Sequence, residues 1–141
     1  MVAMTLMLLD ANVWLAARND REHGHAAARA LVATADRHPF AALDLTLYEV
    51  ANIAVKAWRS AAAARRVTDL VRAACDGHIL SVDGELIDRT IAAADMHGLS
   101  AYDAAYVAAA DLRGWTLVSG DYKDLVKPGL AITADEALAA S

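Results

Sequence analysis

The stretch "LMLLDANVW", Leu6 to Trp14, sets four apolar residues directly against Asp10. Residues 5–9 are too short and too continuously apolar for a surface helix, so they read as a strand buried on both faces. A carboxylate at the end of such a strand has two readings. Asp10 caps a helix over residues 11–18, or it stands at a site.

Outward from this stretch, strands and helices alternate. After a polar turn over 19–24, "HAAARALVATADRH" (25–38) predicts a helix with Ala26, Ala30, Leu31 and Ala33 on its apolar side, stopped by Pro39. "FAALDL" (40–45) predicts a second strand. "TLYEVANIAVKAWRS" (46–60) predicts a helix whose start is marked by Thr46 and Glu49 at capping-box spacing. "AAAARRVTDLVRAACDG" (61–77) is a further helix closed by Gly77, and "HILSV" (78–82) a short strand. "GELIDRTIAAADMHG" (84–98) predicts a helix with Leu86, Ile87, Ile91 and Ala94 on one side. "SAYDAAYVAAADLRG" (100–114) predicts another, with Ser100 and Asp103 at box spacing; its small residues suit a central place against the sheet. "WTLVS" (115–119) is a strand, "GDYKDL" (120–125) a loop, "LAIT" (130–133) a last short strand and "ADEALAA" (134–140) a terminal helix. Alternation of buried strands with helices predicts a three-layer α/β domain. Its central, mostly parallel sheet has four to five strands, with helices on both faces. Without repeats or linkers, residues 1–141 read as one domain.

Composition narrows the function. The net charge of −5 does not advertise nucleic-acid binding, and it does not oppose an acidic metal site. Cys75 is the single cysteine, so no disulfide forms within the chain. That suits a reducing cytosol, and Cys75 itself reads as a small buried hydrophobe. The apolar run stops at Asp10 without a basic flank, so it is neither a signal peptide nor a membrane span. Met1, Met4 and Met7 are alternative starts. Phosphate-binding glycine loops and a nucleophile elbow are missing. His23, His25, His38, His78 and His97 lie at element edges and read as surface residues.

Four acids stand out by position. Asp10 ends the first strand, Glu49 and Asp103 lie in first turns of helices, and Asp121 follows the strand "WTLVS". In a parallel α/β sheet these positions share one edge, where ligands bind at the point of strand-order reversal. Singly, each is a cap or turn residue. Together they demand more, because Ser, Thr or Asn would cap without concentrating negative charge. Lys123 is the nearest basic residue in sequence. Carboxylates gathered there call for a hard divalent cation, Mg²⁺ or Mn²⁺, able to activate water and stabilise a phosphoryl oxygen. Lys56, Arg59, Arg65, Arg66 and Arg72 form one basic region, and Arg18 and Arg21 another. They read as solvated faces or as phosphate contacts.

At these residues the chain resembles the PIN-domain ribonucleases, and most closely the toxins of VapBC-type toxin–antitoxin modules. The resemblance is carried by "LLDANVWLA", "LTLYEVANI", "LSAYDAAYVAAA" and "LVSGDYKDL", and it spans nearly the whole chain. It implies a metal-dependent endoribonuclease with Asp10, Glu49, Asp103 and Asp121 holding Mg²⁺ or Mn²⁺. It matches Asp124 to a further acidic position, Ser119 to a frequent hydroxyl and Asn12 to a small polar position. Ala11 departs from it, since many relatives carry a hydroxyl there. It also implies a homodimer and a cognate antitoxin, often one that inserts a basic side chain into the acidic pocket. Two other readings stay open. A receiver-type phosphoacceptor domain would want an acidic pair near the first strand. A catalytically silent PIN-like binding domain would not need all four acids.

Overall fold

The computed structural model describes residues 5–141; Met1 and Met4 lie outside the described residues, and Met7 opens the first strand. In chain order the elements are β1 (Met7–Leu9), α1 (Ala11–Arg18), α2 (His25–Val32), β2 (Ala42–Leu43), α3 (Asp44–Lys56) and α4 (Ala61–Cys75). Then come β3 (Ile79–Leu80), α5 (Gly84–His97), α6 (Ala101–Arg113), β4 (Thr116–Val118) and α7 (Ala134–Ala140). A 3₁₀ turn, Ala33–Asp36, and a π-helical turn, Tyr122–Val126, complete them.

β1 pairs in parallel with β4, Met7 opposite Thr116, and β2 pairs in parallel with β3. A parallel bridge between Leu8 and Ala41 joins the two pairs, and another between Val118 and Ile132 adds a fifth position. The spatial order is therefore β3-β2-β1-β4-Ile132, and it reverses between β1 and β4. The expected "LAIT" strand contributes only this one bridge. The regular strands are shorter than expected because helices begin at once: α1 one residue after β1, α3 directly after β2.

Alternation along the strands builds two cores. Leu9, Ala42 and Val118 face a layer of α1, α2, α3, α4 and α7. Their neighbours Leu8, Ala41 and Leu117 face α5 and α6. The three-layer expectation is met. Trp14, fully buried, locks α1 onto the sheet: its indole N–H donates to the Leu9 carbonyl at 3.3 Å, and its ring meets Phe40 edge-on. Burial of each such side chain is worth about 1.5–3 kcal/mol. On α6, Ala104, Tyr106, Ala108, Ala109 and Ala110 are buried, as its small-residue surface suggested. Cys75 is buried too, and burial pushes its thiol pKa up.

Several expectations need correction. The helix from residue 25 ends at Val32 and tightens into the 3₁₀ turn, and it buries Ala28, Leu31 and Val32 while Ala26 and Ala30 face outward. α5 buries Leu86 and Thr90, leaving Ile87 42% and Ile91 60% exposed. Apolar periodicity there marks an uncovered surface, not a core face. The loop after β4 is wound into the π-helical turn.

Candidate metal centre at the sheet edge

The edge is assembled from four local structures. Asp10 is the N-cap of α1: its Oδ1 accepts the Val13 N–H at 3.4 Å. Its own N–H donates to the Val118 carbonyl, so the carboxylate is tied to both β1 and β4. The side chain is only 5% exposed. Burial pushes its pKa up to about 7, helped by the charges of Glu49 and Asp103 and opposed by hydrogen bonds from Ser119 and the Val13 amide. Asp10 caps α1, and it does so beside other charged acids.

Glu49 does not close a capping box. α3 begins at Asp44, two residues before the expected start, and Thr46 Oγ1 accepts the Leu43 N–H at 3.0 Å. Glu49 thus lies in the second turn of α3. It accepts the Tyr106 hydroxyl at 2.6 Å. Tyr106 is in turn 2.8 Å from Thr46 Oγ1. Because a carboxylate oxygen can only accept, Tyr106 must donate to Glu49, and Thr46 must donate to Tyr106. A directed line of hydrogen bonds runs from the Leu43 amide through two buried hydroxyls to Glu49. Burial raises the Glu49 pKa, the Tyr106 hydrogen bond lowers it, and the Asp103 charge raises it again. Tyr106 was missed by sequence reasoning. Its signal was a tyrosine amid alanines on a helix expected to be buried, where a hydroxyl needs a partner.

Asp103 lies in the first turn of α6, whose N-cap Ser100 accepts the Asp103 N–H at 3.1 Å. Burial raises its pKa, as do the charges of Asp121 and Asp124. Asp121 caps the π-helical turn and accepts the Asp124 N–H at 3.0 Å. Asp103, Asp121 and Asp124 bring carboxylate oxygens within 4.8 Å of one another. Asp10 and Glu49 lie outside this trio, though its Asp103 acts on both electrostatically, raising the pKa of each.

The supporting residues lock the loop. Fully buried Ser119 accepts the Asp121 N–H at 2.9 Å, and its hydroxyl also lowers the pKa of Asp10, so it bears on both residues. Asn12 Oδ1 accepts the Gly120 N–H at 2.9 Å. A Cβ at Gly120 would come within 3.1 Å of that oxygen, so the glycine is what allows the approach. Ala11, the position that departs from the resemblance, is a buried core residue.

None of the acids at this edge is in an ion pair among the described residues. Among the described residues the one ion pair is Arg89–Glu85, on α5. Lys123 is exposed on the π-helical turn, Lys56 and Arg59 are exposed at the end of α3 and in the following turn, and Arg18 and Arg21 are exposed at and beyond the end of α1. Burial first, and neighbouring carboxylates after it, raise the pKa of Asp10, Glu49 and Asp103, and no basic group is among the causes. An all-carboxylate donor set in that condition fits Mg²⁺ or Mn²⁺.

The PIN domain family model matches residues 7–127. No curated protein matches the sequence. Among solved structures, PAE2754 from Pyrobaculum aerophilum is similar with TM-score 0.72 and 28% identity, over 96% of this chain and 88% of that one. A toxin–antitoxin complex from Klebsiella pneumoniae gives TM-score 0.67 at 19% identity, over 91% and 97%. VapC20 of Mycobacterium tuberculosis, described as a toxin cleaving the sarcin–ricin loop, gives TM-score 0.67 at 17% identity, over 87% and 95%.

Proposed function

The chain belongs to the PIN domain family, and from that premise we propose that it is a metal-dependent endoribonuclease, the toxin of a toxin–antitoxin pair. The observation that carries this reading is the convergence of Asp103, Asp121 and Asp124 within 4.8 Å at the strand-order reversal, beside Asp10 and Glu49. Asp10, Asp103 and Asp121 would hold Mg²⁺ or Mn²⁺, with Glu49 and Asp124 completing the set directly or through water. When bound, the cation lowers the pKa of a water molecule and offsets charge developing on the phosphate.

The chain's own residues prepare the rest. Ser119 and the Asp10 cap tie Asp10 to the loop that carries Asp121. The Tyr106 line holds Glu49 as an acceptor, aligned for a cation or a water. Asn12 holds the loop that carries Asp121. A receiver-type reading gives way to family membership, and a silent domain would have no use for this hydrogen-bonded support.

The same excess of negative charge suits a basic side chain from an antitoxin. A homodimer belongs to this reading as well. An apolar groove of about 330 Å³ runs between α3, α5 and α6, edged by exposed Tyr48, Val82, Ile87 and Tyr102. Uncovered apolar patches of this kind mark protein interfaces.

The test is cleavage of total cellular RNA by the purified protein in Mn²⁺, Mg²⁺ and EDTA, beside Asp103→Asn. Discrete fragments should need metal and disappear in the variant, which keeps its fold because Ser100, not the carboxylate, caps α6. Cleavage at the wild-type rate by Asp103→Asn would refute the assignment.

A further inference from the structure

Tyr106 stands in the second turn of α6 and is 2% exposed, clustered with Leu8, Leu43, Leu86 and Leu117. A phenylalanine would fill the same place. The hydroxyl is therefore an addition to the packing, and once buried it needs one partner. Thr46, fully buried and 2.8 Å away, supplies that partner. The second contact, at 2.6 Å to Glu49 Oε1, is more than burial of the hydroxyl requires. Thr46 is provided for in the same way. Its place at the start of α3 asks only that it accept the Leu43 N–H, and its bond to Tyr106 is additional.

Of the two ends of the Tyr106–Glu49 bond, the tyrosine is the fixed one. Its ring is locked in the core, so the hydroxyl keeps its place. Glu49 is half-buried, on a side chain with more rotamers to lose, so it is the partner that is held. Burial, and after it the charge of Glu49, pushes the Tyr106 pKa up, which keeps the phenol a donor. The bond takes Oε1 and leaves Oε2 for the site. Asp103 lies three residues before Tyr106 on α6, about 4.5 Å along the axis and on the same face. One buried helix thus carries an acid of the site and the clamp on another.

Resting on the nuclease reading, we infer that Thr46 and Tyr106 are positioning residues of the site: they fix Glu49 by Oε1 against the helix that carries Asp103 and aim Oε2 alone at the metal centre. Thr46 hydrogen-bonds to Leu43 and Tyr106 and not to an acid of the edge. It nonetheless sets how firmly the site takes a divalent cation. Its part is to donate to Tyr106, which holds the phenol oxygen in place and strengthens the phenol's own donation to Glu49.

The experiment measures the Mn²⁺ affinity of the full chain by calorimetry, and kcat and KM for cleavage of a labelled single-stranded RNA. The wild type is compared with Tyr106→Phe, Thr46→Val, Thr46→Ser, Glu49→Ala and the pair Glu49→Ala/Tyr106→Phe, each checked for cooperative thermal unfolding. Tyr106→Phe should weaken Mn²⁺ binding about tenfold, the scale on which support behind a metal ligand is felt, and lower kcat with KM unchanged. Thr46→Val should weaken Mn²⁺ binding about threefold, the low end of what one neutral hydrogen bond is worth. Thr46→Ser keeps the hydroxyl and should match the wild type. On top of Glu49→Ala, Tyr106→Phe should add no further loss. That outcome separates positioning from packing: an equal loss with and without Glu49 makes Tyr106 a core residue only and overturns the proposal. A Tyr106→Phe variant with wild-type Mn²⁺ affinity and kcat overturns it as well. If Tyr106→Phe does not fold, the Thr46 pair decides, and Thr46→Val with wild-type Mn²⁺ affinity sinks the proposal. In each of these cases the wild type still binds Mn²⁺ and cleaves. A wild type that does neither takes the nuclease reading down with it.

Discussion

Asp10 carries two duties that conflict in the absence of a cation. Its cap favours an ionised carboxylate, while burial and two neighbouring acids oppose it, and the balance raises its pKa to about 7. The unfolded chain ionises Asp10 near 3.8, so between that pH and about 7 the folded protein binds more protons than the unfolded one. Its contribution therefore turns against the fold as pH rises through this window, and is fully unfavourable above about 7. The shift corresponds to about 4 kcal/mol. Asp10→Asn should raise the melting temperature in EDTA at pH 8, with the gain shrinking toward pH 4. Thermal unfolding across pH measures this; an asparagine variant that melts lower than wild type at pH 8 would contradict it. Asp10 was legible in the sequence because a carboxylate closing an apolar run is costly unless used. Glu49 was read as a candidate from its place near a helix start at the sheet edge, and its plain reading as a capping-box partner fails. Its box spacing from Thr46 is incidental, since α3 starts earlier and Thr46 serves Leu43 and Tyr106 instead.

At the scale of elements, α6 links core and site. Its first turn presents Asp103, its second turn sends Tyr106 to Glu49, and the alanines beyond pack against the sheet and α5. Ala108 is 4% exposed. Ala108→Asp would bury a carboxylate with no partner, and should cost about 3 kcal/mol or more. Urea denaturation reads the loss; a value under about half a kcal/mol would remove α6 from the interior. The helices were legible because caps and apolar spacing are local signals. Ser100 and Gly98 stand where helix ends were read, while the helix read to Ser60 stops at Lys56. The strands were overdrawn because an apolar run reports burial and not ladder length. "FAALDL" is buried well beyond the two residues that pair.

At the scale of the molecule, the uncovered side lies over α3, α5 and α6. Ile87 and Ile91 looked like core residues in sequence because periodicity cannot distinguish a core from an interface. Ile87→Glu should convert the proposed dimer to monomer without loss of thermal stability beyond the interface's own contribution. Sedimentation equilibrium decides it, and a wild type that is monomeric at all concentrations would refute the dimer. The layered fold was legible from alternation alone. Which helices would be left half-covered was not, because that depends on the lengths of strands that no local pattern reports. No described helix is long and apolar enough to cross a membrane.

The pairing of β1 with β4 also sets when the acids can first meet during synthesis. Asp10 is made almost at once, but Asp121 follows β4, and Met7 has no strand partner there until Thr116 exists. A chain still being translated therefore carries its acids apart on an unfinished sheet. The proposed nuclease site is therefore incomplete until Asp124 has been made, and the proposed antitoxin needs to act only after that point.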